Sequence, residues 1–148
     1  MKDIELNELQ PKEITEEEII FSNNPNCEEG LILVYANWCR HCDDFKPMYH
    51  YLMNLFNKLE KQGTYTTQNN KIITKINDIS MPKLWAMDID KHKNKTEGHN
   101  LSFVQGFPTI LIVKNINDKK GKIEIFEGKE RNIPNLLKIF ETTLGMKN

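Results

Sequence analysis

The sequence predicts an α/β domain, a central mixed β-sheet flanked by helices, and three observations carry that prediction. Residues 31–36 are continuously apolar (Leu31-Ile32-Leu33-Val34-Tyr35-Ala36), as a strand covered on both faces must be. A long amphipathic helical pattern follows almost at once. Towards the C-terminus an apolar run at 110–113, an alternating segment at 122–127 and a last apolar stripe read as two strands and a helix.

Taken in order, residues 4–9 suit a short edge strand that Pro11 interrupts. Thr15-Glu16-Glu17-Glu18 ahead of Ile19-Ile20-Phe21 has the form of a capping box and predicts a short helix. Residues 22–30, with Asn23-Asn24-Pro25-Asn26, are a loop. From Arg40, the apolar positions Phe45, Tyr49, Leu52, Phe56 and Leu59 recur at helical spacing, opposed by Lys46, His50, Asn54, Asn57, Lys58 and Lys61. That aromatic stripe is core rather than a cofactor site. Asp43 and Asp44 fall in the first turn, where the helix dipole favours negative charge. Pro47 predicts a kink rather than a stop, since the stripe continues beyond it to Gln62-Gly63.

Residues 64–70 are predicted as a polar loop. Residues 71–80 carry Ile72, Ile73, Ile76 and Ile79 and predict a short helix, although four isoleucines also suit a strand. Residues 84–89 read as a buried strand, 91–95 as a solvated loop holding His92, and 96–104 as a segment containing a short helix; His99 is expected to be solvated. Gly106-Phe107-Pro108-Thr109 leads into the strand at 110–113, residues 117–121 are turn-rich, and 122–127 alternate as an antiparallel strand. Residues 128–132 turn the chain, and Pro134 opens a last helix bearing Ile133, Leu136, Leu137, Ile139 and Phe140, ending near Gly145.

A chain of 148 residues, with no internal repeat and no shift in composition, is expected to be one domain over 1–148. Its 39% hydrophobic content and mean hydropathy of -0.58 describe polar loops around a modest core. A net charge of -1 gives no field directed at nucleic acid or an anionic membrane, so neither is expected as a partner. All but Arg40 and Arg131 of the 20 basic residues are lysines. No apolar run is long enough for a bilayer, and residues 1–6 lack a signal-peptide core, so the expected location is cytoplasmic or otherwise non-secreted.

The chemistry concentrates at Trp38-Cys39-Arg40-His41-Cys42. Two cysteines separated by two residues at a strand-to-helix junction are the pattern of a redox dithiol, because one helical turn brings the sulfurs within bridging reach. The first then lies at the helix N-terminus, where unpaired N–H groups favour a thiolate, the nucleophile of disulfide exchange. A zinc site is the plainer alternative. Zinc wants four ligands, there is no second Cys-x-x-Cys, and His41 and His50 are poor substitutes on geometry. A metal or cluster shared between two chains is a remoter one. Cys27 sits in a polar loop and reads as an incidental thiol, with a regulatory or intermolecular disulfide as the alternative.

The order of motifs resembles the thioredoxin superfamily, and the cysteine stretch is most similar to the domains of protein disulfide isomerases. Trp38 to Cys42 matches the active-site motif, and Pro47, five residues after Cys42, matches the kink proline. Phe107-Pro108-Thr109 matches the cis-proline before the next strand, and Gly128 within Phe126-Glu127-Gly128-Lys129-Glu130-Arg131 matches the glycine before the last helix. The resemblance spans about residues 30–145, with 64–83 looking like an insertion between the active-site helix and the next strand.

It implies the thioredoxin fold and a thiol–disulfide oxidoreductase acting on protein cysteines. Cys39 is then the attacking sulfur and Cys42 the resolving one. Arg40 and His41 favour the thiolate, and a stabilised dithiol makes the disulfide a stronger oxidant. Reducing thioredoxins usually carry Gly-Pro there, whereas isomerases place His before the second cysteine, as His41 stands here. Trp38, Phe107 and Pro108 are expected to flank the sulfurs and line a shallow substrate groove. The redox-active disulfide serves in place of a cofactor, no metal is implied, and the partners are substrate proteins and a reductase or sulfhydryl oxidase. A reducing electron donor and a non-catalytic scaffold are the rival readings.

In one respect the chain departs from the family: the buried acid six positions before the first cysteine is replaced by Leu33. Deprotonation of Cys42 should then be slow or routed through water. A disulfide-forming site without a secretory signal points to a dedicated oxidase or an assembly process, such as a virus would use.

Overall fold

The computed structural model describes residues 4–67, 69–75, 80–92, 97–128, 130–140 and 144–147. Its centre is β3 (Gly30–Tyr35), whose six residues are all buried. It pairs in parallel with β6 (Lys83–Asp88) on one side and antiparallel with β7 (Thr109–Asn117) on the other. β8 (Lys120–Ile125) returns antiparallel along β7, and the sheet runs on through β2 (Glu18–Ile20) to β1 (Glu13–Ile14) in the order β1-β2-β8-β7-β3-β6. Outside β6, Glu8 makes a parallel bridge to Ala86, so the predicted edge strand is reduced to one bridged position.

Helix α1 (Arg40–Gln62) lies across this sheet. Its buried face of Cys42, Tyr49, Leu52, Leu55, Phe56 and Leu59 is the predicted stripe widened by Leu55, with Phe45 half-buried at its margin. Gly63 caps it with φ of 77°, a left-handed conformation that costs glycine nothing, and donates its N–H to the Leu59 carbonyl at 2.9 Å.

Several expectations are corrected. The 15–18 segment is the turn of the β1–β2 hairpin rather than a helix start. The Thr15 hydroxyl does accept the N–H groups of Glu17 and Glu18, both at 3.2 Å, as a cap would. Ile19 and Ile20, stiff at the β-carbon, instead extend along β8, with Ile19 opposite Gly121. Residues 64–75 form β4 (Thr64–Thr66) and β5 (Ile72–Lys75) in place of a loop and a helix. Ile73 is buried and Ile72 exposed, the alternation of a strand, and β5 is paired on both sides, to β4 and to β9 (Leu144–Lys147). Ile76 and Ile79 lie outside the described residues.

Gly145 consequently belongs to β9, opposite Thr74, and the last helix α3 (Ile133–Lys138) is shorter than expected. Its start is as read from the sequence, and the Asn132 side chain accepts the Asn135 N–H at 2.9 Å. After β6 comes the four-residue α2 (Ile89–His92), and residues 97–104 are turns rather than helix, joined to the β1 region where Ile14 donates to Gly98 and accepts from Asn100, both at 2.9 Å. The histidines there are not solvated. His92 is 1% exposed, its Nδ1 lies 2.9 Å from His99 Nδ1, and His99 Nε2 donates to the Pro11 carbonyl at 2.6 Å.

Candidate active site

The end of β3 delivers the chain to the site. After Tyr35 and the buried Ala36, Asn37 and Trp38 turn outward and Cys39 becomes the N-cap of α1 with φ -95° and ψ 113°. Its N–H donates to the Ala36 carbonyl at 3.1 Å and its carbonyl accepts the Asp43 N–H at 3.2 Å. Its sulfur does the work of a capping oxygen and accepts the Cys42 N–H at 3.2 Å. A thiolate there takes a charge-assisted bond from an otherwise orphaned helix N–H.

The Asn37 side chain holds this turn down, donating to Asp88 Oδ2 at 2.8 Å. Asp88 ends β6, is 3% exposed, and accepts the Asp90 N–H through Oδ1 at 3.0 Å. The sequence reading missed this anchor because Asn37 and Asp88 are 51 residues apart and meet only through the β3–β6 pairing.

Both sulfurs are thiols in this structure. Cys39 is 7% exposed and Cys42 0%, so the first is the more accessible, though neither stands open to solvent. Burial, then the hydrogen bond to Cys39, pushes the Cys42 thiol up to about 12, against the smaller opposing pulls of the Ala36 backbone and, less still, the Lys46 ammonium. Leu33, in the place of the absent acid, is fully buried.

Trp38 is 68% exposed and meets Phe107 edge-on at 5.6 Å between ring centroids. The Phe107 carbonyl accepts from the Cys39 thiol at 3.6 Å, and the Phe107-Pro108 peptide is cis. The Phe107 carbonyl is therefore brought to the first sulfur, with Trp38 against the Phe107 ring and Pro108 next along the cis peptide. Arg40 and His41 are exposed on the first turn of α1, where water screens their fields.

A further residue, Arg131, reaches back from the loop after β8 and donates through its guanidinium to the Pro108 carbonyl. The signal for it was in the composition: a chain that otherwise uses lysine keeps arginine only at 40 and 131. An arginine fork fixes a carbonyl in a way a flexible ammonium does not. Cys27, expected in a polar loop, is 7% exposed, and burial raises its thiol above the ordinary range. No group of three or more His, Cys, Asp and Glu side chains among the described residues is placed to hold a metal ion. No described helix is long and apolar enough to cross a membrane.

The thioredoxin family model matches residues 12–138. Human protein disulfide-isomerase A4 is 32% identical over 114 residues, which cover 77% of this chain and 14% of that protein. The rat protein of the same name matches to the same extent. The matched stretch is thus about a seventh of the length of these relatives. Among solved structures, human ERp44 form II superposes with a TM-score of 0.56 at 17% identity, covering 96% of this chain and 31% of that one. The zinc-bound form of human ERp44 gives 0.50 at 15% identity over 79% of this chain and 26% of that one. These two comparisons speak to the fold alone. With one cysteine capping the helix that follows the central strand, a second one turn on, and the carbonyl of the cis Phe107-Pro108 peptide at the first sulfur, the chain belongs to the thioredoxin family and is similar to protein disulfide isomerases.

Proposed function

We propose that this protein exchanges disulfides with protein substrates through Cys39 and Cys42. The observation that carries the reading is the placement of Cys39 Sγ, which caps α1, accepts the Cys42 N–H and faces the Phe107 carbonyl beside the exposed Trp38 ring. The Cys39 thiolate attacks one sulfur of a substrate disulfide. A Cys39–substrate bond forms, the substrate S–S bond breaks, and the departing sulfur takes a proton. The Cys42 thiolate then attacks Cys39, forming the Cys39–Cys42 disulfide and releasing the second substrate thiolate. Two electrons have passed to the substrate, and the reverse sequence donates a disulfide. Trp38, Phe107 and Pro108 would line the substrate, with no cofactor beyond the dithiol. Substrate proteins and a reductase or sulfhydryl oxidase would be the partners.

For direction we favour an oxidising or isomerase-like poise, on the helix N–H taken by Cys39 Sγ and on Leu33 in place of an acid that would speed release of the reduced substrate, with Arg40 and His41 adding only a water-screened field. Equilibration with glutathione buffers should then give a potential nearer the isomerase value of about -180 mV than the thioredoxin value of about -270 mV. A strongly reducing potential would assign the protein to electron donation.

The exchange reading itself is tested by trapping. Cys42→Ala should accumulate mixed disulfides on Cys39 with a disulfide-bonded substrate such as scrambled ribonuclease, while Cys39→Ser should accumulate none. A trap that stays empty in the Cys42→Ala protein, with the fold intact by circular dichroism, would favour a scaffold role.

A further inference from the structure

The resolving step needs Cys42 as a thiolate, yet Cys42 is fully buried and the strand position that could have held a carboxylate carries Leu33. The groups placed around it supply something else. One helical turn beyond Cys42, on the same face of α1, stands Lys46. Its side chain is 17% exposed, folded in against the protein, and its Nζ lies 4.4 Å from the centre of the Tyr35 ring. Tyr35 closes β3 immediately before Ala36, whose carbonyl accepts the Cys39 N–H. The ammonium is thus drawn over the ring of the last residue of the strand that leads to the two cysteines, instead of extending into water as helix lysines commonly do.

We propose that Lys46 is a positioning residue for the resolving half of the exchange, its fixed positive charge stabilising the Cys42 thiolate as it attacks the mixed disulfide on Cys39. The inference rests on the exchange chemistry proposed above and assigns it a residue. The Cys42 proton leaves to water, and Lys46 neither gives nor takes a proton in the step. The Cys42 thiolate attacks Cys39 Sγ, the Cys39–Cys42 bond forms, and the Cys39–substrate bond breaks with its electron pair on the substrate sulfur, which takes a proton from water.

Among the described residues, the other charged or titratable groups named at the site are negative, exposed or engaged elsewhere, Arg131 with the Pro108 carbonyl. On α1, Asp43 lies 3.6 Å from Lys46 and is negative, while Arg40 and His41 are exposed on the first turn. From β3, the Tyr35 hydroxyl is spent on the Glu8 carboxylate of the N-terminal segment. From β6, Asp88 is held by Asn37 and is also negative. Lys46 pulls the Cys42 thiol down against its burial, adding to the larger effect of the Ala36 backbone, and this agrees with the placement.

The test is the two-phase reaction of the reduced full chain with Ellman's reagent. Attack by Cys39 releases one coloured thiolate and leaves the reagent's other half on Cys39; resolution by Cys42 releases the second. In Lys46→Met the second phase should slow by about tenfold near neutral pH, and its pH profile should move to higher pH by about one unit, the effect of removing one nearby opposite charge. The first phase should stay within about twofold, which also reports an intact fold. Lys46→Arg should recover most of the second phase. A wild-type second phase that Lys46→Met leaves unchanged, or an Arg variant as slow as the Met variant, overturns the role of Lys46 and leaves the exchange reading standing. A wild-type chain with no second phase overturns both.

Discussion

At Tyr49 one hydroxyl ties the helix that carries the cysteines to the sheet beneath it. It donates to the Trp85 carbonyl at 2.6 Å and lies 3.2 Å from the Leu31 carbonyl, reaching both β6 and β3 from a fully buried position. Tyr49→Phe should lower unfolding stability by about 1–2 kcal/mol, the usual net worth of a buried hydrogen bond together with the cost of stranding its acceptors. Chemical denaturation measures this, and an unchanged midpoint would contradict the anchoring role. Gly30 shows a different constraint. A β-carbon there would come within 2.3 Å of the Lys83 carbonyl and 2.6 Å of the Trp85 ring. Gly30→Ala should therefore cost about 1–3 kcal/mol through overpacking between β3 and β6. The sequence placed Gly30 at the end of a loop; that it must also admit the indole of Trp85 required the parallel pairing of the two strands.

At the scale of elements, α1 was legible almost to the residue because a 3.6-residue period persists from Cys42 to Leu59 and Gly63 ends it. Gly63→Ala should destabilise by about 1 kcal/mol, since φ of 77° is strained for any residue with a β-carbon. A thermal melt would register it as a fall of several degrees, and no change would mean the cap rearranges freely. The strands β4 and β5 were not legible. Three residues of Thr and Tyr, or four of Ile, Thr and Lys, do not distinguish a loop or short helix from a strand, and β5 is decided by its partner β9, about seventy residues further on. The same holds for the 15–18 turn, where a cap-like side-chain bond serves a hairpin once β8 offers its edge.

For the molecule as a whole, a pH-sensitive link is the His92–His99 contact, which joins the end of α2 to the segment leading toward Phe107. His99 Nε2 must donate to the Pro11 carbonyl, so its Nδ1 is an acceptor and His92 Nδ1 the donor. Only one proton fits between the two Nδ1 atoms. Burial chiefly, then the neighbouring His99, lowers His92 below its ordinary value, against the opposing charge of Asp88. The unfolded chain therefore takes up a proton near pH 6.5 that the folded chain resists. The stability contributed by neutral His92 is complete above that pH and is lost as the pH falls through it. Thermal midpoints should decline from pH 7 to pH 5, and His92→Gln should flatten that slope. An equally steep decline in the variant would place the sensitivity elsewhere.

The sequence by itself determined the local features: a strand covered on both faces, a helix with a cysteine at its cap, a second cysteine one turn on, and a proline ahead of the next strand. Each is written in contiguous residues and enforced by backbone geometry. Only the tertiary structure decided which distant groups complete the site. The carbonyl of Phe107 comes to Cys39, the guanidinium of Arg131 to Pro108, the carboxylate of Asp88 to Asn37, and the ammonium of Lys46 to Tyr35. These contacts follow from strand order and from how far a helix lies across a sheet, and pairing between strands far apart in the chain leaves no period for a sequence to display.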